Sequence, residues 1–276
     1  MSRQIDLRRQ GLLPRWVWFT TLAVVASPLV VIMLLGFVRI ELGQIAGLSL
    51  EGYAELFKSY RIGEVGLVSL RSLVLGGLAS FVGFTVAFVL VRHFSIRWQN
   101  IFLLLLTLPF LINEAVKTFA WTNLLQRGGT FNYLAELIGL SDTTFTLASI
   151  WNVYAIILLN LIPFAVFIST LTLRNIDANI WLAAEEMGAR SSTIFWHIGL
   201  PLGKFGLFFS WLVTAFFGLS MTTEVNFLGG VSKLSIPNLI SNLQSSNNLP
   251  AVFSLGTLFL LIALGSFFIL RTTIRR

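Results

Sequence analysis

The chain has 276 residues, 56% of them hydrophobic and 11% charged, against roughly a quarter charged in ordinary soluble domains. Its 19 basic and 12 acidic residues cannot cover a water-soluble body of this length, so the bilayer is the solvent that fits. The absence of cysteine removes disulfides, thiolate metal sites and cysteine nucleophiles, and the net charge of +7 has to be read by location before it is assigned to nucleic acid.

A spanning helix needs about 20 apolar residues at about 1.5 Å each to cross about 30 Å of hydrocarbon. In chain order the stretches that qualify are 16–38, 72–91, 101–125, 146–173, 205–223 and 251–270. The first follows Arg3, Arg8, Arg9 and Arg15 and exceeds the roughly 7 to 15 residues of a signal-peptide core, so it reads as a retained anchor. The second carries small residues four apart, Gly76 with Ser80 and Ala79 with Gly83, a spacing that lets helices approach closely. The third is apolar until it meets Glu114 and Lys117. Trp16, Trp18, Trp98 and Trp151 lie near span ends, where an indole anchors at the lipid interface. The expectation is an all-α membrane protein, one transmembrane domain over 1–276 with six helices.

Six spans put both termini on one side. That side, with the segments 92–100 and 174–204, holds 12 basic and four acidic residues, and the other holds seven basic and eight acidic. The positive-inside rule then places both termini in the cytoplasm, and the whole excess of positive charge becomes an orientation signal.

Catalytic patterns are missing. No G-x-x-x-x-G-K-[ST], H-E-x-x-H or G-x-S-x-G occurs, and His93 and His197 are far apart in sequence. No extramembrane segment is long enough to build a catalytic domain of its own. The chain is expected to be no enzyme, but a body that conducts, binds or couples.

The segment 174–204 is the most informative. Asp177 is placed to cap a helix that ends at Gly188, and Ser191 or Ser192 to cap a second short helix ending before Pro201. Ile180, Ala183, Ala184 and Met187 share one face of the first helix, with Glu185 and Glu186 toward the other side. Such a helix rests on lipid headgroups or docks in a protein groove. The small, alanine-rich face and its acidic flank favour the groove.

Ala183-Ala184, Gly188 after three residues, and Ile198-Gly199-Leu200-Pro201 after nine more resemble the EAA loop of binding-protein-dependent ABC importer permeases, E-A-A-x(3)-G-x(9)-I-x-L-P. Leu182 stands where that pattern has its glutamate, so that carboxylate's contact is absent or passes to Glu185 or Glu186. The segments 48–57, 117–125 with Gly128-Gly129, and 224–230 look like the spermidine/putrescine branch of type I permeases, and the Phe-Ala-Trp stretch is more like the first permease of the operon than the second. The resemblance implies a multi-pass protein of the bacterial cytoplasmic (inner) membrane. It also implies a heterodimer with a second permease, an ABC ATPase dimer carrying ATP and Mg, and an extracytoplasmic solute-binding protein. This chain itself would need no cofactor, and nucleic acid would play no part. Coupling to the ATPase would fall on Asp177, Ala183, Ala184, Glu185, Glu186, Gly188, Ile198, Leu200 and Pro201.

The external face would comprise 41–64, 127–145 and 224–250, with a short helix expected near Pro237 to Leu243. Ionisable groups at membrane depth mark pathways. Glu114 and Lys117 are three apart and either pair with each other or face the path. Glu224 has no basic neighbour before Lys233 and coincides with an acidic position of the polyamine branch, which suits a cationic solute. Phe119 and Trp121 either offer cation–π faces at the outer mouth or pack against neighbouring helices. The same branch takes opines, phosphonates and other small solutes. An ion-coupled secondary transporter, the rival class, would more often show an inverted repeat and broken helices.

Overall fold

The structure is a computed structural model that describes residues 15–41, 44–58, 61–126, 128–139, 149–228, 235–246 and 248–274. Arg3, Arg8, Arg9, Gly229, Gly230 and Lys233 lie outside the described residues, as do the side chains of Trp16 and Trp18. The chain divides into two compact units, 1–61 with 243–265, and 62–242 with 266–276.

In the first unit, α1 (Arg15–Leu35) leads into an antiparallel hairpin, β1 (Val38–Glu41) and β2 (Gln44–Leu48), and then α2 (Glu51–Lys58). The hairpin departs from the all-α expectation. The unit closes on the first part of α13 (Leu249–Ile274), where Thr257 Oγ1 donates to the Ile32 carbonyl at 3.3 Å and Ser254 Oγ to the Gly36 carbonyl at 3.2 Å. Asn248 donates to the Glu55 carboxylate, so α2 is tied to the start of α13.

The second unit holds α3 (Arg61–His93), α4 (Ile96–Leu111), α5 (Glu114–Leu125), α6 (Thr130–Leu137), α7 (Ile150–Leu173), α8 (Ala178–Glu186), α9 (Ser191–Ile194), α10 (Leu200–Ser220), α11 (Thr223–Leu228) and α12 (Ile236–Ser245). Among the described residues four helices are long and apolar enough to cross a membrane: Gly63–His93, Trp151–Leu173, Ser191–Ser220 and Leu249–Phe268. The expected third span over 101–125 is not one helix. It breaks after Leu111; Ile96–Leu111 and the stretch Glu114–Leu137 are bent by 92°, and together they would make a fifth crossing. Two local causes are visible. Pro109 has no N–H for the carbonyl four residues back, and Asn113 accepts the Ala115 N–H at 2.9 Å, capping a new helix that starts at Glu114.

The small residues of α3 are where α7 and α10 come close to it. A Cβ on Gly76 would lie 2.7 Å from the Ala215 nitrogen of α10, and one on Gly83 would lie 2.5 Å from the Ala165 Cβ of α7. Ser80 Oγ donates to the Leu207 carbonyl at 2.7 Å and Thr214 Oγ1 to the Gly76 carbonyl at 3.0 Å, so hydroxyls fasten α3 to α10 where side chains would hold them apart. Two apolar clusters flank this seam. One gathers Leu75, Ala79, Val153, Ile157, Leu161, Val225 and Leu228; the other gathers Phe84, Phe88, Leu173, Trp181, Ala184, Ile194 and Phe195. Outward, α3 exposes Leu67, Leu70, Val74, Leu78 and Val89, a surface suited to lipid or another apolar helix.

Candidate functional site

The loop after α7 is built by local rules. Asp177 caps α8 through its carboxylate, which accepts the Asn179 N–H at 2.9 Å. Past the other end Gly188 takes φ +77°, its N–H reaches the Glu185 carbonyl at 2.8 Å and the Ala189 N–H reaches the Ala184 carbonyl at 3.0 Å. This is a Schellman closure, and it requires the left-handed backbone that glycine adopts without a Cβ penalty.

The second helix differs from expectation. Arg190, not a serine, occupies its cap position, and it does not stop before Pro201 but runs on through a π-helical turn, Phe195–Gly199, into α10. Pro201 cannot donate to the His197 carbonyl, and widening one turn is how a helix absorbs the missing bond. Ile198, Leu200 and Pro201 therefore lie at the start of a 30-residue apolar helix, with Gly199 against the Phe88 ring.

The faces of α8 also need correction. Its inward face is Trp181 and Ala184, both buried, and Trp181 meets Phe88 edge-on at 5.9 Å. Trp181 is the largest apolar residue of the helix, so it takes the core and carries Ala184 in with it. Ile180, Leu182, Ala183, Glu186 and Met187 stay exposed. Glu185, expected on the far side, turns back and pairs with Arg92 in the last turn of α3.

A second polar centre lies where α5, α7 and α11 meet. Glu224, in the first turn of α11, is fully buried, and its Oε1 accepts from Asn160 Nδ2 at 2.8 Å. Asn160 stands near the middle of the 24-residue α7. Glu224 Oε2 has no hydrogen-bond partner among the described residues, and Glu114 opens the neighbouring helix α5, which packs against α11. Among the described residues no ion pair joins Glu114 to Lys117. Phe119 packs on Phe227 at 4.9 Å, and Trp121 lies parallel to Phe131 at 6.4 Å and against the first apolar cluster. Both rings are thus engaged by neighbours. Sequence reasoning missed Asn160 and Arg71. An amide in the middle of an apolar span was the available signal for the first. The second, on α3, holds its guanidinium 6.0 Å from the centre of the Tyr154 ring.

Comparison with solved structures bears on the fold. The chain shares its fold with a chain of a bacterial ABC transporter involved in the import of the acidic polysaccharide alginate. The match has a TM-score of 0.67 and 17% identity and covers 94% of this chain and 93% of that one. A second structure shows the alginate transporter with its pentasaccharide-bound periplasmic protein, again at TM-score 0.67, covering 96% of this chain and 92% of that one. No protein-family model matches the chain.

Relatives in sequence are more particular. The chain is 27% identical to PotI, the putrescine transport system permease protein of Escherichia coli, over 85% of its own length and 80% of that protein. It is 24% identical to PotB, the spermidine/putrescine transport system permease protein of Haemophilus influenzae, over 74% of its own length and 71% of that protein. These relatives are membrane permease subunits of transport systems, the class that the loop pattern resembles.

Proposed function

We propose that the chain is the membrane-spanning permease subunit of a binding-protein-dependent ABC importer and moves a small amine-bearing cation of polyamine type inward. It would cross the bacterial cytoplasmic membrane six times with both termini inside. It would pair with a second permease, rest on an ATPase dimer that binds ATP and Mg, and receive solute from an extracytoplasmic binding protein. The observation that carries the reading is α8, a helix with one face locked into the permease core and the other, Ile180, Ala183 and Met187, left exposed and apolar. A helix so divided suits a groove on a moving partner. The carboxyls of Glu114 and Glu224, on the packed helices α5 and α11, with the Asn160 amide, would supply acceptors for an alkylammonium along the path.

Arg71, a cation inside α3, favours one alternative, an anionic solute carried by the same machine. Proteoliposomes holding the complete complex decide between them. ATP-dependent accumulation of radiolabelled putrescine that needs the binding protein supports the cationic reading. Accumulation of sulfate or a phosphonate with no putrescine uptake overturns it.

A further inference from the structure

The α8 end of the chain contains an ion pair that the EAA pattern does not call for. Arg92 occupies the last turn of α3, and its side chain is 5% exposed, against 50% for that of its partner Glu185. One turn earlier on the same helix, Phe88 supports Arg92 from below, with the guanidinium carbon 5.3 Å from the ring centre. Phe88 also meets Trp181 of α8 at 5.9 Å and Phe195 of the π-helical turn at 5.1 Å. Helix α8 is therefore fastened to α3 by one aromatic contact at Trp181 and, a turn later, one charged contact at Glu185.

Its N-terminal end is held separately. Arg174, just past α7, donates through Nε to Gln99 Oε1 at 2.8 Å. Buried Gln99 in turn donates to the carbonyls of Phe94 at 2.8 Å and Val91 at 3.2 Å, closing the last turn of α3. Only the short turn from Arg174 to Asp177 separates that anchor from α8.

Apolar contacts are non-directional and let packed surfaces slide. A nearly buried guanidinium cannot release its carboxylate without being left uncompensated out of water, so it fixes where α8 sits against α3. We propose that Arg92 is a positioning residue whose pairing with Glu185 transmits displacement of the coupling helix α8 into the membrane helix α3. The proposal rests on the importer reading above but not on the charge of the solute. In this family pattern the glutamate meets Leu182 here, on the exposed side, so Glu185 faces the permease itself.

The test uses the whole complex in proteoliposomes, with binding protein and radiolabelled putrescine, and reads uptake and ATP hydrolysis in the same vesicles. For E185Q the expected result is an uptake lowered about tenfold, inside the usual range of coupling effects, with ATP hydrolysis kept within about twofold. R92K, which retains the charge, should keep most of the uptake, and the swapped pair R92E/E185R should recover uptake that either reversal alone abolishes. Uptake by E185Q within about twofold of wild type overturns the strut alone. Parallel loss of uptake and hydrolysis with the ATPase missing from the purified complex also overturns it, since that is a role in assembly. If putrescine is not taken up, the same variants are read with radiolabelled sulfate or a phosphonate, and a wild-type complex that hydrolyses ATP and takes up none of the three overturns the importer reading and the strut with it.

Discussion

Two glycines, one in the membrane seam and one in the coupling loop, are held in place by opposite constraints. At Gly83 on α3 there is no room: an added Cβ would lie 2.5 Å from the Ala165 Cβ and 2.8 Å from that residue's carbonyl carbon. At Gly188 there is nothing within 4 Å of an added Cβ, but φ is +77°. The seam is set by packing between distant parts of the chain, and the loop by the conformation of a single residue. Damage should therefore spread through the body in one region and remain local in the other.

The largest effect is expected from G83L. Overpacking a close helix contact costs about 1–3 kcal/mol and sometimes more, so this variant should accumulate poorly and unfold early in detergent. A fully stable G83L would show that α3 and α7 are not in contact as described. Next is N160L, which removes the donor to a buried carboxyl and should cost about 1.5–3 kcal/mol, read as loss of thermal stability of the purified complex. Gly188→Ala is expected to cost about 1–2 kcal/mol, confined to the end of α8. Its protein should insert at normal levels while uptake per ATP falls, and bulkier residues at this position should abolish uptake. Asp177→Ala loses a helix cap, about 1 kcal/mol, and should change the same ratio in the same direction by less. If the loop variants lowered expression as much as G83L, the contrast between the two regions would collapse.

The same contrast explains what was legible in the sequence. Asp177, Gly188 and the helix between them follow rules that act over a few residues, so spacing alone located them. The short helix anticipated near Pro237 to Leu243 is α12, with Ser235 Oγ accepting the Asn238 N–H at 3.3 Å. The small residues at Gly76 and Gly83 were visible, and so was their purpose, but not the partners Ala215 and Ala165. Glu185 was misplaced because helical periodicity orders residues around a helix without saying which side holds the core. Trp181 decides that, and its ring had been left out of the apolar face. The bend after Leu111 was also missed, since a hydropathy window passes over one proline and one capping asparagine. Nothing in the sequence joins Asn160 and Glu224, which come from two helices and meet only through tertiary packing.

The central claim is that the exposed face of α8 docks on an ATPase, and the cysteine-free chain makes it directly measurable. Single cysteines are introduced at Met187, which is 81% exposed, and at Ala184, which is 2% exposed, and membranes containing the full complex are treated with a short thiol-to-amine crosslinker. The account predicts that Met187→Cys forms a covalent adduct with the ATPase subunit, that ATP binding changes its yield, and that Ala184→Cys forms none. An adduct from Ala184→Cys but not from Met187→Cys, or none from either in a complex that still transports, would contradict it.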